Sequence, residues 1–311
     1  MRSTLLRSFV FAVAAIFSLL FSVSARAQLV AYDDAAAYYT SANLTNGANQ
    51  GFGFTPWVFL AAGPNSHGHY IGNGYAMGQT TNVTGTNYTN CAFGLFANGN
   101  AGTNQSIACR GFASSLGTNT FKVQWAAKGA GNNSITTNSV TSTVHGWCGF
   151  TLRTGNTTNN SGDFQTGVRM YFYFLDGNSP STIYVWDGNG VQSLTGTSFS
   201  SLGRQLGTNA VEVEVTPASD SLHYHMVVKD IVLNKTLYTL DSQFFGAPGD
   251  TIDSVALFCQ NTSGGNTPPN SINGDQNYNR LQITVPTLVP PSISNVLPPD
   301  GTIYEIGRAH V

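Results

Sequence analysis

The chain has 311 residues, of which 41% are hydrophobic, 12% aromatic and only 9% charged, with 34 glycines and a formal net charge of −2. Such scarcity of Glu and Lys argues against a helical protein, and the aromatic content argues against charge-driven disorder. With no basic surplus to neutralise phosphates, nucleic acid is not an expected partner.

The first segment, Met1–Ala27, carries Arg2 and Arg7, then an apolar run over 9–23, then Ala25-Arg26-Ala27. A basic stretch, an apolar stretch and a small-x-small ending, in that order, form an export signal, with cleavage expected before Gln28. The apolar run, about 15 residues, falls short of the roughly 20 that span a bilayer, so no membrane span is expected in the mature chain. Loss of Arg2, Arg7 and Arg26 leaves 10 basic against 15 acidic residues, a net charge of −5. The expected location is outside the cell or on its surface.

From 28 to 285, short alternating or apolar runs are separated by clusters of Gly, Asn, Asp and Ser. Strands are predicted over 120–126, 147–153, 166–175, 182–186, 210–216, 222–230, 235–240, 252–259 and 279–285. Many short strands without a long segment of 3.6-residue period predict an all-β, antiparallel sandwich or barrel. Four cysteines fall in this region, Cys91, Cys109, Cys148 and Cys259, an even count that in an exported chain suggests two disulfides with three connectivities. Between the first two lie an apolar run, a Gly/Asn-rich turn around Asn100 and a second run. As a hairpin this segment would set Cys91 against Cys109, leaving Cys148 for Cys259. No C-x-x-C occurs, so zinc is not expected.

Two stretches offer His-x-His, His67-Gly68-His69 and His223-Tyr224-His225, whose imidazoles would share one strand face; a surface or structural role is the favoured reading. The segments 169–175 and 182–186 form the most informative surface. Met170, Phe172 and Phe174 take one face with Ile183 and Val185; Arg169, Tyr171 and Tyr173 take the other, where Tyr184 and Trp186 fall opposite if Leu175 pairs with Thr182. Flat amphipathic rings beside an Arg suit the apolar face of a sugar, provided that no loop or second sheet covers them. At the ends of these segments stand Asp176-Gly177-Asn178 and Asp187-Gly188-Asn189. Asp176, Asn178, Asp187 and Asn189 are oxygen donors of the kind calcium prefers, but Asp-Gly-Asn is also tight-turn chemistry. For catalysis, Glu212-Val213-Glu214 is the nearest approach to the paired carboxylates of a glycosidase; the chain has three Glu in all, and a solvated strand face accounts for this pair better. No Gly-x-Ser-x-Gly elbow is present, and no catalytic residue is assigned.

Over 210–240, Val211, Val213 and Val215 alternate with Glu212 and Glu214, a turn at Pro217-Ala218-Ser219-Asp220 follows, and Leu222-His223-Tyr224-His225-Met226-Val227-Val228 returns. This meander, with Lys235-Thr236-Leu237-Tyr238-Thr239-Leu240, resembles the centre of laminin-G-like or concanavalin-like jelly rolls. The late Tyr278-Asn279-Arg280-Leu281-Gln282-Ile283-Thr284 resembles the closing strand of such domains in secreted bacterial proteins. The stretches Asp33-Asp34-Ala35-Ala36, Gly51-Phe52-Gly53-Phe54-Thr55-Pro56-Trp57, Cys91-Ala92-Phe93-Gly94-Leu95-Phe96-Ala97 and Arg110-Gly111-Phe112 are similar to exported verrucomicrobial-type bacterial proteins with that fold. The resemblance implies a jelly-roll β-sandwich over 28–285. Past it, 286–305 is Pro-rich and reads as a linker and the start of an immunoglobulin-like or fibronectin-like module. Ile306-Gly307-Arg308-Ala309-His310-Val311 reads as the translation of a sequencing adapter and is expected not to be biological. The resulting expectation is an exported non-catalytic module, binding extracellular polysaccharide or glycan or structural at the cell surface. The alternative is a polysaccharide-degrading enzyme, a glycoside hydrolase or lyase of the same fold.

Overall fold

A computed structural model describes residues 28–286 apart from 39–42, 64–66, 74–90, 98–103, 128–132, 138–139, 145–146, 156–163, 176–182, 195–209, 232–233 and 261–275. The export signal, the Pro-rich segment, Asp176 and Asn178 therefore lie outside the described residues. In chain order the first strands are β1 (Leu29–Asp33), β2 (Val58–Ala62), β3 (His67–Asn73), β4 (Cys91–Ala97), β5 (Gln105–Gly111), β6 (Thr120–Ala127), β7 (Asn133–Thr137), β8 (Val140–Val144) and β9 (Trp147–Arg153). They are followed by β10 (Val168–Leu175), β11 (Tyr184–Asp187), β12 (Gly190–Ser193), β13 (Val211–Pro217), β14 (His223–Asp230), β15 (Lys235–Gln243), β16 (Ser254–Gln260) and β17 (Gln276–Thr284).

Two antiparallel sheets result. The first runs β15-β14-β13-β6-β17-β4-β3, with β1 added on β17; the second runs β12-β11-β10-β9-β16-β5-β2, and β7 with β8 forms a separate hairpin. The chain crosses repeatedly from one sheet to the other, and the two faces close over one apolar core, a jelly-roll β-sandwich. Alternation in sequence sets which side chains enter that core. In β13 the valines are buried and the intervening residues half-buried, and in β14 Tyr224, Met226 and Val228 do the same from the next strand. Each such side chain stabilises the fold by about 1.5–3 kcal/mol relative to exposure.

The hairpin expected between Cys91 and Cys109 does not form. β4 pairs with β3 and β17, whereas β5 pairs with β2 and β16 in the opposite sheet. Both strands are apolar enough to need a core-facing side, and the crossing between sheets gives each one that side. Cys91 consequently packs in the core between the sheets, and Cys109 in a second apolar cluster on the outer face of the seven-stranded sheet.

One buried polar network ties the first strand to this frame. The Asp33 carboxylate accepts from Arg110, from the Tyr38 hydroxyl at 3.0 Å and from the Trp57 indole N–H at 3.0 Å. Arg110 also donates to Asn49 and to the Thr55 carbonyl, and its guanidinium lies 4.8 Å from the Trp57 ring. Burial pushes Arg110 down to about 9, so it stays charged at neutral pH and needs its partner.

Candidate functional site

The outer face of the seven-stranded sheet is built from the odd positions of β10 and the even positions of β11. Their register places Tyr171 opposite Trp186 and Tyr173 opposite Tyr184, and directs Met170, Phe172, Ile183 and Val185 into the core. The four rings stack in two pairs, Tyr171 on Trp186 at 5.1 Å and 18° and Tyr173 on Tyr184 at 5.4 Å and 22°.

Much of this face is covered. Trp147 of β9 lies against Tyr171 at 6.0 Å and against Tyr173 at 5.7 Å, edge-on to the latter. Phe164, from the segment that leads into β10, stacks flat on Phe258 at 4.2 Å. Tyr171 and Tyr173 are each left 7% exposed, and burial, followed by the neighbouring Tyr184, raises the Tyr173 hydroxyl. Arg169 is buried as well. It donates to Asp250 at 2.5 Å and to the Ser221 carbonyl at 2.9 Å, and it lies over the Phe244 ring. Its guanidinium holds the 220–250 loops to β10 and is not presented beside the rings.

What stays open is the edge hairpin of β11 and β12. Trp186 is 39% exposed, backed by Tyr171 on one side and held edge-on by Phe245 at 5.9 Å and 83°. Directly opposite Trp186, Val191 is 58% exposed, and Ser193 lies opposite half-buried Tyr184. Sequence reasoning missed Val191, Phe245 and Trp147. The first was legible from the turn, since Asp187-Gly188-Asn189-Gly190 forces a short return strand with Val191 across from Trp186.

The Asp-Gly-Asn turn itself is fully engaged by the protein. Asp187 is buried, its Oδ1 accepts from the Asn189 backbone N–H at 2.9 Å, and its Oδ2 accepts from the Tyr224 hydroxyl. The Gln192 amide reaches both oxygens at 3.2 Å, and the Asn189 amide donates to Ser242 at 2.8 Å. A Cβ on Gly188 would sit 2.5 Å from the Phe244 carbonyl oxygen, so the turn is pressed against the other sheet. Asp187 and Asn189, the oxygen donors considered above for calcium, anchor the turn. Burial, then the Asp187 carboxylate, raises the Tyr224 hydroxyl far above its usual range and keeps it a donor. Among the described residues, no group of three or more His, Cys, Asp or Glu is arranged to hold a metal ion.

The histidine pairs separate. His69 stacks on Phe59 at 3.7 Å, its Nε2 is 3.0 Å from the Leu44 carbonyl, and burial lowers its proton affinity, all marks of a packing residue. His223 and His225 are exposed, each with Nδ1 2.6 Å from a carboxylate, Asp220 and Asp241 respectively. With Asn189, Thr216 and Gln243 they line an open depression of about 520 Å³ at the ends of β13–β15.

The outer face of the eight-stranded sheet carries Glu212 and Glu214 on a central strand, β13. Glu214 Oε1 accepts from Lys229 at 2.5 Å and Lys122 at 3.0 Å. Burial raises both carboxyls; for Glu214 the two lysines outweigh it and the net shift is downward. For Glu212 burial dominates, opposed by Lys122 and reinforced by Glu214, and the net shift is upward.

No family model matches the sequence, and no curated protein matches it. Among solved structures, the catalytic domain of a glycoside hydrolase family 131 protein from Coprinopsis cinerea is similar at 10% identity and TM-score 0.43, covering 82% of this chain and 94% of that one. Lectin I-B4 from Griffonia simplicifolia is similar at 10% identity and TM-score 0.35, covering 73% and 92%. Alginate lyase vAL-1 from a Chlorella virus is similar at 13% identity and TM-score 0.36, covering 68% and 91%. At these values the similarities carry no argument about ligand or activity, and the sandwich rests on its own strand pairing.

Proposed function

We propose that the chain is an exported, non-catalytic β-sandwich module that binds carbohydrate on the edge hairpin of β11 and β12. The observation that carries the reading is Trp186, 39% exposed while stacked on Tyr171 and held edge-on by Phe245. A flat apolar ring held rigid before binding loses little freedom when a sugar stacks on it. Export follows from the basic, apolar and small-x-small order of Met1–Ala27. The ligand class is an extracellular polysaccharide or glycan. The test is a glycan array with polysaccharide pull-downs, in the presence and absence of calcium. Saturable binding that is lost in Trp186→Ala and insensitive to chelation is expected; a folded wild-type protein that retains nothing would leave a structural cell-surface role.

A second reading is a polysaccharide-degrading enzyme. One observation favours it: Glu212 and Glu214 sit side by side with proton affinities pushed apart, the division that acid–base pairs use. Against it, Glu214 is tied to two lysines on one oxygen. Release of reducing ends or unsaturated sugars by the wild type, abolished in Glu212→Gln, would make this the better account.

A further inference from the structure

We infer that Cys148 and Cys259 are joined by a disulfide across β9 and β16, and that Cys91 and Cys109 stay thiols in the same oxidised protein. The register of the two strands sets Cys148 directly opposite Cys259, on neighbouring strands in the middle of the seven-stranded sheet. Both side chains enter the core between the sheets and both are fully buried. Opposed residues of an antiparallel pair have Cα atoms about 4.5–5.5 Å apart, inside the roughly 4.4–6.8 Å that a disulfide spans. The Tyr278 hydroxyl fastens the adjoining rung, 2.7 Å from the Gly149 carbonyl and 3.1 Å from that of Phe258, the residues next to the two cysteines.

The other pairings fail on geometry. Cys91 enters the core from the opposite sheet, and packed sheets lie about 10 Å apart, beyond the roughly 7 Å limit for bridged Cα atoms. Cys109 belongs to the outer-face cluster, where the residues opposite it are Ala256 and Val58. The connectivity expected from sequence therefore keeps one of its two bonds.

The bond forms by exchange with a low-molecular-weight disulfide such as oxidised glutathione. A thiolate of one cysteine attacks the oxidant, and a mixed disulfide forms with release of one glutathione thiol. The second cysteine then displaces the other glutathione, so two protein thiols are oxidised and one oxidant disulfide is reduced to two thiols. Because both sulfurs are buried, the exchange takes place before the core closes.

The test uses the full chain, refolded with excess oxidised glutathione, then unfolded without reductant, alkylated, digested and read by mass spectrometry. The expected result is that the peptides of Cys148 and Cys259 are recovered joined and two hydrogens lighter, with Cys91 and Cys109 alkylated. Alkylation of all four cysteines, or a joined peptide containing Cys91 or Cys109, overturns the assignment. The Cys91→Ala/Cys109→Ala double variant provides a second reading: the 148–259 linked peptide must persist in it.

Discussion

Asp33 and Arg110 are both fully buried in one hydrogen-bonded network, so removing either leaves an uncompensated charge inside the core. Arg110→Met is expected to cost about 3–5 kcal/mol in urea unfolding, whereas the distant surface change Val191→Thr should stay within about 0.5 kcal/mol. Asp220 reports on a different kind of pairing. Hydrogen bonds from the His223 ring, then from the backbone N–H groups of His223 and Leu222, hold it down to about 2. A depressed carboxylate stabilises the fold above its unfolded value near ~3.9, and that contribution disappears as pH falls through about 2. The stability gap between wild type and Asp220→Asn should thus be constant above pH ~5, shrink progressively below it and close by pH ~1. Glu212 has the opposite sign. Its raised folded value means that stability present below the unfolded value is lost as pH rises through the folded one. Glu212→Gln should match wild type in acid and exceed it at neutral pH, and an equal difference at both pH values would contradict the burial argument.

At the scale of elements, the faces of β10 and β11 follow from a period of two, and this is why Tyr171, Tyr173, Tyr184 and Trp186 were legible together in the sequence. Their cover was not legible. Trp147, Phe164 and Phe258 come from three other segments, and only the tertiary fold brings Trp147 against the tyrosines and stacks Phe164 and Phe258 beside it. The same limit explains the misread hairpin: a Gly/Asn-rich turn between two apolar runs signals a chain reversal, and that signal is equal for a hairpin and for a crossing to the other sheet. It also explains Asp187, whose turn chemistry was visible but whose partners Tyr224 and Ser242 lie on distant strands. Phe164→Ala tests the cover directly. Loss of a buried aromatic should cost about 3–5 kcal/mol, and accessibility of Trp147, on which Phe164 packs, to a small quencher should rise; an unchanged stability would mean that the segment packs loosely.

On the scale of the whole molecule, the sandwich was legible because nine short runs from 120 to 285 alternate or are apolar throughout, and each became a strand. Opposite outer faces then serve different ends: one carries an ion-paired Glu and Lys cluster, the other a second apolar cluster that leaves Trp186 at its margin. The inferred 148–259 disulfide closes a loop of about 110 residues, and in the chain-entropy model its loss should lower stability by roughly 4–5 kcal/mol. Trp186 itself is 39% exposed at the margin of the outer cluster, so it can be changed without unfolding the molecule. Calorimetric titration of the best polysaccharide from the array into wild type, Trp186→Ala and Glu212→Gln tests the central claim most directly. An exposed, rigid Trp at the centre of a site is worth at least about 2 kcal/mol, roughly thirtyfold in Kd. The account predicts that loss in Trp186→Ala and wild-type affinity in Glu212→Gln; unchanged affinity in a correctly folded Trp186→Ala would contradict it.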